Sequence, residues 1–325
     1  MSSYWSKFPE IQAQINQVCN FMGQKIQVPN PEIEKALIQL TSSGGKYLRP
    51  AFFFLFSRFG QAKVDEQKMV TIAASLEILH VATLVHDDVI DDSPLRRGHT
   101  SIQSAFGKDV AVYTGDYLFT LFFECLLETM ENTPYLAINA NSMKKILLGE
   151  LGQMNLYFNQ EQSVSDYLAS ISGKTAELFK LASKEGAYFA GADDAIVSLA
   201  GRIGYHIGMT FQILDDILDY TADPKTFNKP ILEDLANGVY SLPLLLAMQE
   251  KPDAFKAILD KKNKVSSEDI QTISQLVDKH NGIKLAKEMA NHYTQVAIDD
   301  IKQLPPIKAQ KQLLQLTNHL LKRQI

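Results

Sequence analysis

The chain has 325 residues, of which 46% are hydrophobic and 21% are charged, a balance typical of a globular protein. Its 37 acidic and 32 basic residues give a net charge of −5, so we expect no general attraction to nucleic acid. Any anionic ligand must therefore be held by a local group of cations. The two cysteines, Cys19 and Cys125, lie far apart, which argues against a disulfide framework and favours a cytoplasmic protein.

The N-terminal stretch, MSSYWSKFPEIQ, lacks the charged start and apolar core of a signal peptide. No apolar run approaches the roughly 18 to 20 residues of a membrane-spanning helix without an interruption by charge, Gly or Pro. We therefore expect a soluble protein, which leaves open that it rests on a membrane surface.

Helical periodicity dominates the chain, while alternation typical of strands is scarce. Apolar residues recur at three- and four-residue steps in the segments 65–92, 109–131, 136–160, 164–191, 194–221 and 232–250. An earlier helix opens at Pro29-Asn30-Pro31 and closes at Ser42-Ser43-Gly44-Gly45. These patterns predict an all-α protein with one domain over residues 1–325, and they assign no role to the tail from about Pro252.

Two acidic clusters with the same spacing follow apolar helical sequence. The first is HDDVIDD (residues 86–92) and the second is DDILD (residues 215–219). The first and last aspartates of each DDxxD share one helix face, where like charges are destabilising unless a cation lies between them. Such oxygen ligands suit Mg²⁺. One cluster alone is as consistent with a solvated helix end, but the pair favours a metal site. The candidate ligands are Asp87, Asp88, Asp91, Asp215, Asp216 and Asp219.

Short basic motifs accompany the acidic clusters. They are Gly-Gly-Lys-Tyr-Leu-Arg-Pro at residues 44–50, Arg-Arg-Gly at 96–98, Gly-Lys-Thr at 173–175 and the single Lys229. Glycine turns let the backbone approach phosphate, and arginine donates to phosphate oxygens as a fork. The Gly-Lys-Thr motif lacks the first glycine and the preceding strand of a nucleotide P-loop. Each cation alone is typical of a solvated surface, but together with the carboxylates they predict a substrate with more than one diphosphate.

These motifs resemble those of the trans-prenyl diphosphate synthases, or polyprenyl synthetases, over roughly residues 40–245 and in the family's order. The bacterial heptaprenyl-type catalytic subunits are the most similar members. The matching stretches are residues 79–92, 95–98 (LRRG), 115–118 (GDYL), 173–175 (GKT), 211–216 (FQILDD) and 241–243 (SLP). The resemblance implies a bundle of long antiparallel helices around a central apolar cavity. Two positions depart from the family pattern, since Asn228 replaces the usual glycine before Lys229 and Thr100 stands where proline is common.

The resemblance also implies an enzyme that condenses isopentenyl diphosphate with an allylic diphosphate. About three Mg²⁺ ions per site would lie between the two aspartate faces, which should confront each other across an apolar pocket. Isopentenyl diphosphate would be bound by Lys46, Arg49, His80 and Arg97. The allylic substrate would contact Arg96, Lys174, Thr175, Gln212 and Lys229, and the last four of these are the predicted catalytic residues. Residue spacing lets His80 share a helical stripe with Asp87 and Asp91, and His86 should orient the helix or a carboxylate.

Product length should depend on residues one to two turns before the first cluster. Ala82 is small where short-chain members of the family often carry an aromatic residue, and Ile78 and Leu79 are aliphatic. These residues favour an all-trans product of six to eight isoprene units (C30–C40, as in quinone side chains), with a C15–C20 product as the alternative.

Family analogy implies a homodimer that associates transiently with membranes to release its product. A catalytic subunit that requires a separate small partner is an alternative. Two other classes fit less well. A terpene cyclase needs no isopentenyl site, and a non-catalytic partner subunit should have lost an acidic cluster.

Overall fold

A computed structural model describes residues 5–42, 45–221 and 232–321. Within these ranges the chain forms sixteen α-helices and two strands of two residues each, so the all-α prediction is confirmed. The chain divides into two compact units, Met1–Ala140 with Ala182–Ser198, and Asn141–Leu181 with Leu199–Ile325. The single domain expected from the sequence stays a prediction.

The first unit contains six complete helices and a short hairpin. They are α1 (Pro9–Lys25), α2 (Pro31–Ser42), α3 (Leu48–Ser57), α4 (Glu66–Ile90), β1 (Leu95–Arg96), β2 (His99–Thr100), α5 (Ile102–Phe106) and α6 (Lys108–Met130). The helices α7 (Tyr135–Met154), α9 (Glu177–Phe189) and α10 (Asp194–Thr221) each contribute one end to this unit.

Helix α4 is the core helix of the first unit. The Asp65 carboxylate caps its start by accepting from the backbone N–H groups of Gln67 (2.9 Å) and Lys68 (3.3 Å). Every residue from 69 to 79 is buried, so the helix is covered by protein on all sides there. The exposed aspartates come only after this covered segment, at the carboxyl end of the helix.

The hairpin between α4 and α5 was not predicted from the sequence. Leu95 pairs with Thr100 and Arg96 with His99, which leaves Arg97 and Gly98 as a two-residue turn. Both turn residues have positive φ (53° and 80°), as in the type I′ turn that joins twisted antiparallel strands. The turn therefore fixes the positions of two successive arginines.

The second unit contains the rest of α7, α9 and α10 and most of the shorter helices. The complete ones are α8 (Val164–Ile171), a π-helical turn (Ser172–Ala176), α11 (Glu233–Ala236), α12 (Leu242–Glu250), α13 (Pro252–Leu259), a 3₁₀ turn (Lys262–Lys264), α14 (Ser267–Lys279), α15 (Gly282–Gln303) and α16 (Lys308–Leu321). The described part of the tail from Pro252 is thus mainly helical.

Two helix predictions were wrong in their extent. The segment 232–250 forms two helices, because Gly238 at φ +83° ends the first and Pro243 begins the second. The segment 136–160 is helical only to Met154, and turns follow it.

Two helices, α4 and α6, are long and apolar enough to cross a membrane by length and composition alone. Of the most apolar 18 residues, 78% are buried inside the protein in α4 and 44% in α6. Burial of this kind is also found in core helices of globular proteins, so the two helices are weak evidence for a membrane span.

Candidate active site

The first acidic cluster lies at the carboxyl end of α4. Asp87 is half-buried, and Asp91 is exposed and caps the helix. Asp92 follows in the left-handed region, and the Ser93 N–H donates to the backbone carbonyl of Asp88 (3.0 Å), closing a Schellman-type end. The carboxyl end of a helix carries partial negative charge, so several aspartates there favour a bound cation.

Asp88, between the two predicted ligand positions, is buried with an exposure of 2%. Its Oδ1 accepts from Nε (2.7 Å) and Nη2 (2.5 Å) of Arg96 in the hairpin. This forked contact holds the Arg96 guanidinium directly beside the acidic cluster.

Arg97 turns to a different carboxylate on the same helix. Its Nη2 lies 3.2 Å from Oε1 of Glu77, and its Nη1 donates to the backbone carbonyl of Leu40 (2.9 Å). The guanidinium also packs against Gly45, where an added Cβ would lie only 3.0 Å from the guanidinium carbon. Gly45 therefore leaves the space that Arg97 occupies.

Arg49 and His80 lie in the electrostatic range of Arg97. Burial lowers the pKa of Arg49 to about 10; Glu77 raises this pKa and Arg97 lowers it. Burial also lowers the pKa of His80 well below its ordinary value, and the charges of Arg49, Arg97 and Arg96 lower it further. At neutral pH the group thus comprises charged arginines around a neutral imidazole.

The turn that carries Lys46 is fixed by buried aromatic residues. The Trp5 indole N–H donates to the backbone carbonyl of Lys46 (2.8 Å), and the Tyr47 hydroxyl donates to the carbonyl of Thr41 (2.7 Å). Tyr47 itself has φ +49°, an uncommon conformation for a bulky residue. Lys46 is exposed on this constrained turn.

His86 contacts residues of α6. Its Nε2 lies 3.2 Å from Oδ1 of Asp116, and its ring stacks on Phe119 with centroids 5.3 Å apart. These contacts tie the end of α4 to the Gly-Asp-Tyr-Leu segment and agree with the expectation that His86 orients a helix or a carboxylate.

The second acidic cluster lies in the last two turns of α10, in the second unit. Asp215 is exposed and Asp219 is half-buried. The backbone N–H of Leu232 donates to Oδ1 of Asp219 (3.2 Å). As in α4, the cluster is near the negative end of a helix dipole, which favours a cation.

Asp216 is buried and accepts from neutral donors on both oxygens. The Tyr167 hydroxyl donates to Oδ2 (2.6 Å) and the Gln212 amide to Oδ1 (2.8 Å). The Gln212 oxygen in turn accepts from the Thr175 hydroxyl (2.7 Å). Burial raises the pKa of Asp216 to about 7, although the two hydrogen bonds lower it. Three predicted site residues thus form one hydrogen-bonded chain.

Lys174 lies in the π-helical turn between α8 and α9. Its Nζ is 2.9 Å from Oε2 of Glu150 and 3.2 Å from Oε1 of Gln153. Such π-helical turns inside longer helices occur frequently at functional sites.

The predicted product-length residues Ile78, Leu79 and Ala82 are all fully buried in α4. Lys229 and the neighbouring Asn228 lie outside the described residues. The first unit brings together Arg49, His80, Arg96 and Arg97 beside the Asp87–Asp91 segment. The second joins Thr175, Gln212 and Asp216 by hydrogen bonds, with Lys174 next to Thr175 in the chain. The prediction that the two aspartate faces confront each other stays a prediction.

Sequence reasoning missed four residues that contact the predicted site. Glu77 continues the stripe of His80 at a three-residue step, which was a usable signal. Glu150 and Gln153 also lie three residues apart, in a Gly-Glu-Leu-Gly-Gln segment. Tyr167 is 49 residues from Asp216 in the chain, and no local pattern indicates their contact.

The aspartates of the two clusters are better suited to Mg²⁺ than to a metal whose ligands all come from the protein. Among the described side chains, no three of the His, Cys, Asp or Glu type gather so that they could hold a metal by themselves. Mg²⁺ is commonly bound by one or two carboxylates together with water and substrate phosphates. Paired aspartates at two helix ends, with Arg96 beside the first pair, match that mode.

Comparison with known proteins identifies the class. The polyprenyl synthetase family model matches residues 30–313. The chain is an enzyme of the prenyl-transferring class, and it belongs to the polyprenyl synthetase family. This confirms the resemblance seen in the motifs.

Individual relatives differ in the product that their names give. Heptaprenyl diphosphate synthase component 2 of Bacillus subtilis is 34% identical over 93% of this chain and 86% of its own length. The structure of geranylgeranyl pyrophosphate synthase from Lactobacillus brevis is 43% identical, with a TM-score of 0.94 and 99% of both chains covered. A polyprenyl synthase from Caulobacter crescentus, solved with calcium and isoprenyl diphosphate, is 30% identical, with a TM-score of 0.87 over 97% of this chain and 96% of that one. The similarity to heptaprenyl-type subunits is thus confirmed.

Proposed function

We propose that this chain condenses isopentenyl diphosphate with an allylic prenyl diphosphate in a Mg²⁺-dependent reaction. The observation that carries the proposal is the group of Arg49, His80 and Arg97 next to the Asp87–Asp91 segment. His80 lies on α4 with the first aspartates, Arg97 lies in the hairpin that follows α4, and Arg49 lies in α3, close enough to act on the charge of His80. A terpene cyclase has no need for this second set of cations. We also propose that residues 1–325 act as one synthase domain.

Isopentenyl diphosphate would be held by the cations of the first unit. Arg49 is charged at neutral pH, Arg97 offers a second guanidinium group, and Lys46 is exposed on a fixed turn nearby in the chain. Neutral His80 can donate one N–H to a diphosphate oxygen without adding charge. Anchoring this substrate separately places its alkene for attack and supplies much of the rate advantage.

The allylic diphosphate would be contacted by Arg96, Lys174, Thr175, Gln212 and Lys229. The Thr175–Gln212–Asp216 chain fixes two neutral dipoles, which suits a site that must stabilise a carbocation and exclude water. Lys174 and Arg96 would stabilise the negative charge of the departing diphosphate. By family resemblance, that diphosphate takes the proton lost when the new double bond forms.

Mg²⁺ would be held by the aspartates of both clusters, and it would supply stabilisation of the leaving diphosphate as its charge develops. We assign direct contact to Asp87, Asp91, Asp215 and Asp219. Asp88 and Asp216 already accept from protein donors, so they would act as ligands only through rearrangement of those bonds. By resemblance the number of ions is three per site. The calcium in the Caulobacter crescentus relative supports a divalent ion in this family.

For product length we propose six to eight isoprene units, supported by the small buried Ala82 and the aliphatic Ile78 and Leu79. The 43% identity to a geranylgeranyl pyrophosphate synthase favours a C20 product as the second candidate. We further propose a cytoplasmic homodimer that associates transiently with membranes. A partner subunit is the alternative, supported by the name "component 2" of one relative.

The deciding experiment incubates the purified chain alone with Mg²⁺, labelled isopentenyl diphosphate and allylic primers of several lengths. Chromatography of the products reads incorporation and chain length together. Incorporation that requires Mg²⁺ supports the proposed reaction, whereas a cyclised product without incorporation contradicts it. Activity that appears only after a small partner subunit is added would establish the heteromeric alternative.

Replacing Ala82 by Phe tests the basis of product length. We expect shorter products, because the ring would fill space beside the growing chain. Ala74 is equally buried on α4, eight residues earlier, so Ala74→Phe controls for overpacking of the helix. Unchanged product length in Ala82→Phe would refute this assignment.

A further inference from the structure

A buried carboxylate on α4 has no role in the reaction described so far. Glu77 is 1% exposed and is the one charged residue within the wholly buried segment 69–79. An ionised carboxylate in such surroundings is costly unless a cation compensates it. The cation that compensates this carboxylate therefore indicates the role of Glu77.

The partner is Arg97, at 3.2 Å between Oε1 and Nη2. The Arg97 side chain is only 12% exposed, and its Nη1 is also committed, to the carbonyl of Leu40. With Gly45 against the guanidinium plane, the group has one well-defined position. Glu77 supplies the charged member of this set of contacts.

Glu77 also acts on a second cation. It favours the charged form of Arg49, whereas Arg97 disfavours it. The arginines 49, 96 and 97 all act on His80 from nearby. Like charges at short range repel, so this group of arginines requires a counter-ion before any anionic substrate is bound.

We propose that Glu77 is a positioning residue for isopentenyl diphosphate, which holds Arg97 in its binding geometry and offsets the positive charge of the neighbouring Arg49 before the substrate arrives. The inference rests on the proposed function of these arginines. Glu77 does not contact the substrate itself; it acts through the Arg97 guanidinium that it contacts and through its charge. Preorganised cations bind an anion more tightly because less ordering is left to occur on binding.

The test is Glu77→Gln, which keeps the size of the side chain and removes its charge. We expect the KM for isopentenyl diphosphate to rise about ten- to a hundredfold, since hydrogen bonds to charged groups carry energies of that order. The KM for the allylic substrate and kcat should each change by less than about threefold, because the effect is confined to binding of one substrate. An unchanged or lowered KM for isopentenyl diphosphate overturns the inference.

Glu185→Gln is the matched control. Glu185 is another fully buried glutamate of the first unit, and its Oε1 accepts from the Asn139 amide (2.5 Å) and not from an arginine. It should leave both KM values unchanged. If it raises the KM for isopentenyl diphosphate as much as Glu77→Gln does, the effect is general to the replacement of a buried glutamate side chain and the inference is wrong.

A double-mutant cycle shows whether Glu77 acts through Arg97. In an Arg97→Gln background, Glu77→Gln should cause a much smaller further rise in KM than it causes alone. Fully additive effects would contradict the inference. Glu77→Asp, which retains the charge, should recover part of the lost affinity and serves if Glu77→Gln does not fold.

Calorimetric titration with isopentenyl diphosphate separates this inference from the proposed function, because it requires no turnover. Wild-type protein that binds the ligand but forms no product would refute the condensation and leave the role of Glu77 intact. Equal affinity of the wild type and Glu77→Gln would refute the role of Glu77 and leave the condensation intact.

Discussion

The two acidic clusters have the same spacing, but the aspartate in the second position of each is held in a different way. In α4, Asp88 accepts a forked contact from the Arg96 guanidinium. In α10, Asp216 accepts from the hydroxyl of Tyr167 and the amide of Gln212, which are both neutral. Burial raises the pKa of Asp216 to about 7 despite these two bonds.

The difference shows that a motif sets the positions of carboxylates but not their charge. A buried carboxylate with an arginine partner has a compensating charge, as Asp88 and Glu77 do. A buried carboxylate whose donors are neutral does not fully offset the cost of burying its charged form. Glu185, whose donor is the Asn139 amide, follows the second pattern, since burial raises its pKa to about 8.

The largest effect on activity is expected at the first aspartate of each cluster, where we assign the same role of binding Mg²⁺. Asp87→Asn and Asp215→Asn should each lower kcat/KM by at least about a hundredfold, the scale for losing one group that stabilises transition-state charge. Steady-state assays at saturating Mg²⁺ would measure this. Asp109→Asn on the exposed first turn of α6 is the control. Near-normal activity in either variant would mean that its cluster does not serve the reaction.

The neutral-donor pattern predicts a pH-dependent stability at Glu185. The pKa of Glu185 in the folded protein lies above its ordinary value. The contribution of Glu185 to stability is therefore fully present below the ordinary pKa and is lost as the pH rises through about 8. Glu185→Gln lacks this titration. Its advantage over the wild type in denaturant unfolding should therefore grow by about 2 kcal/mol or more between pH 5 and pH 8.

The control for this pH series is Glu268→Gln, which changes an exposed glutamate. It should follow the wild type at every pH. A constant difference between Glu185→Gln and the wild type over the whole range would show that Glu185 does not titrate as described.

The loss in the free energy of unfolding should differ between variants of Asp88 and Asp216. Asp88→Asn removes the charged partner of Arg96, which is 22% exposed, and should cost about 1 to 2 kcal/mol. Asp216→Asn should cost less than about 1 kcal/mol at pH 6, where the wild-type carboxyl is largely protonated. Urea unfolding at pH 6 measures both. Equal costs would remove the distinction between the arginine-paired and the neutral-donor cluster.

A similarly small effect is expected at Tyr167. Tyr167→Phe removes one neutral donor to Asp216 and should cost about 1 kcal/mol or less. Tyr240→Phe, at another buried tyrosine of the second unit, controls for the loss of a hydroxyl. A cost well above that of the control would mean that the hydrogen bond carries more of the stability of α10 than a neutral donor should.

Local periodicity was sufficient to predict the all-α class, the extent of α4 and α10 and the aspartate positions on them. It failed at segment 232–250, where the conformations of Gly238 and Pro243 override apolar spacing. The partners of the site residues were not predictable, because the Tyr167–Asp216 contact joins residues 49 apart in the chain. Tertiary packing decides which carboxylate an arginine contacts, and no local pattern in a single sequence indicates that pairing.

The tight turn at Arg97-Gly98 has a consequence for how this sequence can change. Loop length fixes the register of a hairpin, so a single inserted or deleted residue would shift the strand pairing and redirect the side chains of both Arg96 and Arg97. Asp88 and Glu77 would then each lose their charged neighbour in one step. Single side chains in this hairpin can therefore be substituted independently. A change in its length, by contrast, would require simultaneous changes at Asp88 and Glu77.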